Sequence, residues 1–140
     1  QLKKRVLELK LENSIIFKGR MPYKEMMQYT QHAKLGITID KDTNTNYKYS
    51  LPNKLFDFIH AGIPILASKI IEVEKIIKKY QIGLFINNHE PTHIANQIKY
   101  ALDNKELMSE WKSNTTLATK ELKWEIEENT LKDLYKKIEE

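Results

Sequence analysis

Residues 49–68 read YSLPNKLFDFIHAGIPILAS, which places a polar loop, a short helix and a buried strand in immediate succession. Pro52 suits the first helical turn, where no backbone N–H is needed. Ser50 is placed to cap the free amides of that turn. Leu55, Phe56 and Ile59 recur at helical spacing and should face a core. Asn53, Asp57 and His60 fall at i, i+4 and i+7 and share another face. Gly62 fits the left-handed position just past a helix end. Ile63-Pro64-Ile65-Leu66-Ala67 then reads as a strand buried on both faces, as in a parallel sheet covered by helices. A helix start of this kind gathers backbone amides and a partial positive charge, and so favours an anion such as a phosphate.

Outward from this stretch, apolar runs alternate with helical patterns. Ile15-Ile16-Phe17, Leu35–Ile39 and Ile82–Ile86 read as further strands. Helices are expected over Leu2–Leu11, from Pro22 onward with Tyr23, Met26, Met27, Thr30 and Ala33 inward, over Ile70–Tyr80, and from Pro91 to about Leu102. Asp40–Tyr49 is polar and aperiodic, hence a loop. Lys105–Glu121 and Lys123–Lys137 read as two helices or one bent helix. The expected fold is α/β: a Rossmann-like parallel sheet of about four strands, with helices on both faces and a C-terminal helical tail. Residues 1–103 form a partial Rossmann-like domain in this reading, and 104–140 a helical extension packing on it.

The totals narrow the function class. With 140 residues the chain can bury one real core. Its 23 basic and 19 acidic side chains leave a net charge of +4, too small and too dispersed to indicate nucleic acid. There is no cysteine, which excludes disulfides and thiolate zinc sites. No apolar run reaches bilayer length. The chain begins with Gln rather than Met and reads as a piece of a longer protein. A cytoplasmic location is expected, and a peripheral place at the inner face of a membrane is compatible with the small basic excess.

The segment SLPNKLFDFIHAGIPILAS resembles the donor-binding segment of retaining, nucleotide-sugar-dependent glycosyltransferases of the GT-B architecture, the glycosyl transferases group 1. The likeness is dense over these residues and extends over about Asn13–Glu90. It implies a UDP- or GDP-linked sugar as donor substrate, no bound cofactor, and a polysaccharide or lipid-linked glycan as acceptor, held by another domain. Such domains have six parallel strands in the order 3-2-1-4-5-6. Ile15–Phe17 matches the third, so the first two would precede Gln1. A slot left open there would expose sheet edges, which favours self-association.

The same resemblance assigns roles. Amides around Ser50 and Leu51, with Asn53 and Lys54, would approach the donor diphosphate. Asp57 stands where the family carries the second Glu of a paired-Glu motif, whose carboxylate accepts the ribose hydroxyls; Asp is one methylene shorter. The first Glu is replaced by Tyr49, which leaves Tyr47 and Tyr49 as sugar contacts. The turn Gly19-Arg20-Met21 would pack against the nucleotide base, with Gly19 permitting close approach and Arg20 stacking or reaching phosphate. No catalytic residue is assigned, and the absence of an Asp-x-Asp triplet points to transfer without a metal.

Plainer readings stand beside these. Asn53, Lys54 and Asp57 also fit a solvated helix face, and Arg20 an ordinary surface charge. His60 reads as structural or solvated, and His32 as a helix-end residue. His89 and His93 have metal-like spacing, but Pro91 starts a helix between them, so they cannot share one helical face. Trp111 and Trp124 read as packing anchors of the tail, and Met26-Met27 as core. At the level of function, the alternative is a non-catalytic α/β interaction domain derived from the same fold.

Overall fold

The computed structural model describes residues 1–139; Glu140, the last residue of the expected extension, lies outside them. Three parallel strands form one sheet in the order β1 (Gly36–Thr38), β2 (Ile65–Ser68), β3 (Gly83–Ile86). Gly36 pairs with Ile65 and Ile65 with Gly83, so the strands start level with one another. The helices are α1 (Leu2–Glu8), α2 (Tyr23–Thr30), α3 (Thr45–Lys48), α4 (Asn53–His60), α5 (Ile71–Tyr80), α6 (Pro91–Asp103), α7 (Lys105–Glu121) and α8 (Trp124–Glu139).

β2 is the middle strand, and every residue of it is buried. That is why its sequence is apolar without alternation. The core gathers Leu55 and Ile59 of α4, Ile65 and Ala67 of β2, Val73 and Ile77 of α5, and Ala118 of α7. Fully burying a Leu or Ile side chain contributes roughly 1.5–3 kcal/mol, so these few residues fix how α4, α5 and α7 lie against β2.

α4 ends as its sequence requires. Gly62 has φ +73°; its N–H donates to the Ile59 carbonyl, and that of Ile63 donates to the Phe58 carbonyl, both at 3.0 Å. This pair of bonds is the Schellman closure. At the sheet side, a Cβ on Gly36 would stand 2.5 Å from the ring of Phe58. The missing side chain therefore lets α4 lie close against β1.

Four sequence expectations need correction. Ile15–Phe17 forms no strand, so the sheet has three strands rather than four. A strand requires a neighbour for its backbone groups, and among the described residues no strand lies on the outer side of β1. Ile16 is accordingly 74% exposed. The polar loop before α4 contains one helical turn, α3, because the Asn44 side chain accepts the Tyr47 N–H at 3.0 Å and starts it. In α2, Met26, Met27 and Thr30 are half-buried, but Tyr23 and Ala33 are exposed. Trp124 is 68% exposed, whereas Trp111 is 7% exposed. α7 stops at Leu122, where the backbone leaves helical angles, and α8 restarts with Trp124, Leu131 and Tyr135 in solvent.

α7 is pinned to α4 by two hydrogen bonds. Thr119 Oγ1 donates to the Ile59 carbonyl at 3.1 Å, a bond it shares with the Thr115 carbonyl of its own helix at 2.8 Å, and His60 Nε2 donates to the Leu122 carbonyl at 2.8 Å. His60 thus has the structural role that its place at a helix end allows. Among the described residues no helix is long and apolar enough to cross a membrane.

Candidate functional site

The three strands run in one direction, so their carboxyl ends share one edge of the sheet. Ligands of open α/β sheets bind at such edges. Here the edge carries Asp40 after β1, Lys69 after β2 and Asn87–His89 after β3. A cavity of about 120 Å³ opens there, lined by Asp40, Asp42, Ser68, Lys69, Asn87 and His89 among others. Three larger hollows lie elsewhere, one of about 320 Å³ beside His60 and Thr119 and two of about 500 and 670 Å³ that include Lys105 at the α6–α7 junction. None of these hollows, the strand-edge cavity included, is lined by Ser50, Leu51, Asn53 or Lys54, but Asp40 of the strand-edge cavity bonds Lys54. Chemistry rather than size therefore places the candidate site at the strand edge.

α4 begins beside this edge, because Lys54 in its first turn reaches Asp40. Pro52 is the N-cap of α4, just outside the helix rather than within its first turn, and no side chain caps the helix. The expected Ser50 cap is not made. Ser50 Oγ instead donates to the Tyr47 carbonyl at 2.9 Å, closing the turn after α3. The first amides of α4 therefore lack a side-chain acceptor, and the helix start keeps its capacity for an anion. Asn53 is exposed there and Leu51 is 40% exposed.

Lys54 Nζ lies 3.0 Å from Asp40 Oδ1 and 2.9 Å from Asp40 Oδ2. Thr38 Oγ1 adds a hydrogen bond to Asp40 Oδ2 at 3.2 Å. The Lys54 hydrogen bond, against some desolvation, holds the Asp40 carboxyl below its ordinary range. The ammonium of a first-turn residue of α4 is thereby held at the carboxyl end of β1.

Asp57, one turn further along α4, accepts a hydrogen bond from the Tyr23 hydroxyl at 2.9 Å on Oδ1. That bond, with some burial, raises the phenol above its ordinary pKa, so Tyr23 is a neutral donor at any physiological pH. The turn Gly19-Arg20-Met21 lies just before Tyr23. Gly19 has φ +71° with open space where a Cβ would be, so backbone conformation rather than crowding calls for glycine. Arg20 is exposed and Met21 half-buried. Tyr47 and Tyr49 lie in and just after α3, at 47% and 56% exposure.

The expected residues therefore fall into two groups. Ser50, Leu51, Asn53 and Lys54 surround one helix start, with Asp57 a turn away. Gly19–Met21 precede Tyr23, which bonds Asp57 of α4. Asp40 and Tyr23 are the residues whose part the sequence reading missed. The position of Asp40 directly after an apolar strand was a usable signal. Tyr23 carried none, since its bond spans 34 positions.

The histidines take separate partners. His89 Nε2 lies 3.2 Å from the Ile39 carbonyl and 3.3 Å from Ser68 Oγ. His93 Nε2 accepts the Asn87 N–H at 2.9 Å. Among the described residues no group of three or more His, Cys, Asp or Glu is placed to hold a metal ion.

The family model for glycosyl transferases group 1 matches residues 1–118, from before α1 into α7. The chain belongs to that family. No curated protein and no solved structure matches the chain. The matched residues of this group 1 glycosyltransferase domain contain the whole sheet, its carboxyl edge and α4. Glycosyl transfer, with a nucleotide-sugar donor and a glycan acceptor in general, is the activity of such domains.

Proposed function

We propose that this domain binds the diphosphate of a UDP- or GDP-linked sugar at the start of α4, and that the protein transfers the sugar, with retention, to a polysaccharide or lipid-linked glycan. The reading rests on one observation: an uncapped helix start at the carboxyl edge of the sheet, with Lys54 held beside it by Asp40. In transfer from a nucleotide sugar, negative charge grows on the departing diphosphate. Fixed amides and an ammonium at that point stabilise it without reorganising. Asn53 and the amides near Ser50 and Leu51 complete the cradle. Asp57, an acceptor-only group when ionised, takes the ribose hydroxyls. Gly19, Arg20 and Met21 flank the base, and Tyr47 and Tyr49 border the sugar. The acceptor is held by a further domain. A cytoplasmic site of action fits a nucleotide-sugar donor.

The test is amide NMR during titration with UDP-glucose and GDP-mannose as representative donors. The expected shifts fall within Ser50–Asp57 and Gly19–Met21. Shifts confined to the hollow near Lys105, or none at all, would overturn the reading. Tyr49 at the position where the resemblance calls for Glu favours a second reading, an interaction domain that keeps the fold without transfer. Incorporation of sugar from a nucleotide donor into a glycan by the full-length protein would rule that out.

A further inference from the structure

We infer that Tyr23 is a positioning residue for the nucleotide's ribose: through its hydroxyl it orients the Asp57 carboxylate and ties the Gly19–Met21 turn to α4. The inference rests on the ribose reading of Asp57 proposed above. A carboxylate has about four lone-pair positions. The Tyr23 bond, at 2.9 Å, uses one on Oδ1 and leaves Oδ2 and the second Oδ1 position for a vicinal diol. It also restricts rotation of the carboxylate of this half-buried Asp.

The same bond sets the turn. Tyr23 opens α2, two residues beyond Met21, so its Cα lies within about 7 Å of the Met21 Cα by chain reach alone. Joining Tyr23 to α4 thus fixes the distance between the base turn and the ribose carboxylate. Tyr23 is 62% exposed, so the side chain contributes little to the core. A purely packing role does not account for a hydroxyl aimed at Asp57. The neighbouring ring in α2, Tyr29, is engaged differently, under Lys18 Nζ at 4.1 Å from its centroid.

The experiment compares the full chain with Tyr23→Phe, Asp57→Asn and the double variant, by calorimetric titration with UDP and GDP and with their 2′,3′-dideoxy counterparts. The wild-type chain should bind the better ribonucleotide at least ~10-fold tighter than its dideoxy form, because removing the diol forfeits the charge-assisted hydrogen bonds to the remaining carboxylate positions. Tyr23→Phe should cut that preference to below ~3-fold while the melting temperature stays close to wild type, and should have no further effect once Asp57 is Asn. A wild-type ribose preference that Tyr23→Phe leaves intact would overturn the inference while the donor-binding reading stands. Nucleotide binding with no ribose preference would remove the Asp57 role and this inference with it. Failure of the wild-type chain to bind either nucleotide would remove the donor-binding reading itself.

Discussion

Lys54 and Asp40 form a two-pronged ion pair, with Nζ at 3.0 and 2.9 Å from the two carboxylate oxygens. The pair joins the first turn of α4 to the carboxyl end of β1. The amides of that turn have no side-chain cap. Lys54→Met keeps most of the stem but removes the positive charge. It should weaken nucleoside diphosphate binding by about tenfold, or ~1.4 kcal/mol, as expected for one charge-assisted contact. Isothermal titration with UDP and GDP reads this directly. Unchanged affinity would place the phosphates elsewhere.

The same pair makes stability depend on acid. The Asp40 carboxyl is held below its ordinary value of 3.8, chiefly by the Lys54 hydrogen bond. A depressed folded-state pKa means that the stabilisation is complete above the unfolded-state value. It is lost as pH falls below that value and through the folded one. The side chains of Lys54 and Asp40 are 42% and 30% exposed, so solvent screening limits the pair to about 1 kcal/mol. Melting curves from pH 7 down to pH 2.5 should show Asp40→Asn less stable than wild type above pH 4. The gap should close toward the acid end. A gap that stays constant with pH would mean that the ion pair contributes nothing.

The sequence disclosed what neighbouring residues decide among themselves. Leu55, Ile59 and Gly62 announced a helix, its buried face and its left-handed stop, because each depends on contacts within a turn or two. The buried run ending at Ala67 announced the middle strand for the same reason. Ile15–Phe17 misled, since its apolar composition suits a strand but pairing depends on a neighbouring strand. Ser50 misled because its hydroxyl had a nearer acceptor in Tyr47. Asp57 was legible as a polar residue on the outward face of α4. Its tie to Tyr23 was not, because nothing in local spacing links residues that far apart. The hydrogen bonds of Asp40 to Lys54 and of Tyr23 to Asp57 came from the geometry alone.

Two glycines should fail in different ways. Gly62→Ala adds a Cβ where φ is +73°, with only Thr115 Oγ1 at 3.9 Å nearby. The cost is backbone strain, about 1 kcal/mol. Gly36→Ala adds one into the ring of Phe58. That is overpacking, at about 1–3 kcal/mol, and the strain falls on the contact between α4 and β1. Urea unfolding should therefore show both variants destabilised. Gly36→Ala, and not Gly62→Ala, should be partly rescued by Phe58→Leu, which makes room. Equal rescue of both would contradict this division between crowding and conformation.

The two tryptophans give an optical test of how the C-terminal helices pack. Trp111 is 7% exposed on α7, the helix that shares Ala118 with the core, and Trp124 is 68% exposed at the start of α8. Trp124→Phe leaves Trp111 as the sole indole, and its emission should be blue-shifted and poorly quenched by acrylamide. Trp111→Phe leaves Trp124, which should emit at longer wavelength and be readily quenched. The energetic asymmetry should match. Trp111→Ala opens a large void beside α7 and should cost about 3–5 kcal/mol. Trp124→Ala lies within the ordinary range of surface substitutions, about 0.5 kcal/mol either way. If Trp124 proved as shielded as Trp111, α8 would have to lie against another surface, and the break between α7 and α8 at Leu122 would be closed rather than open.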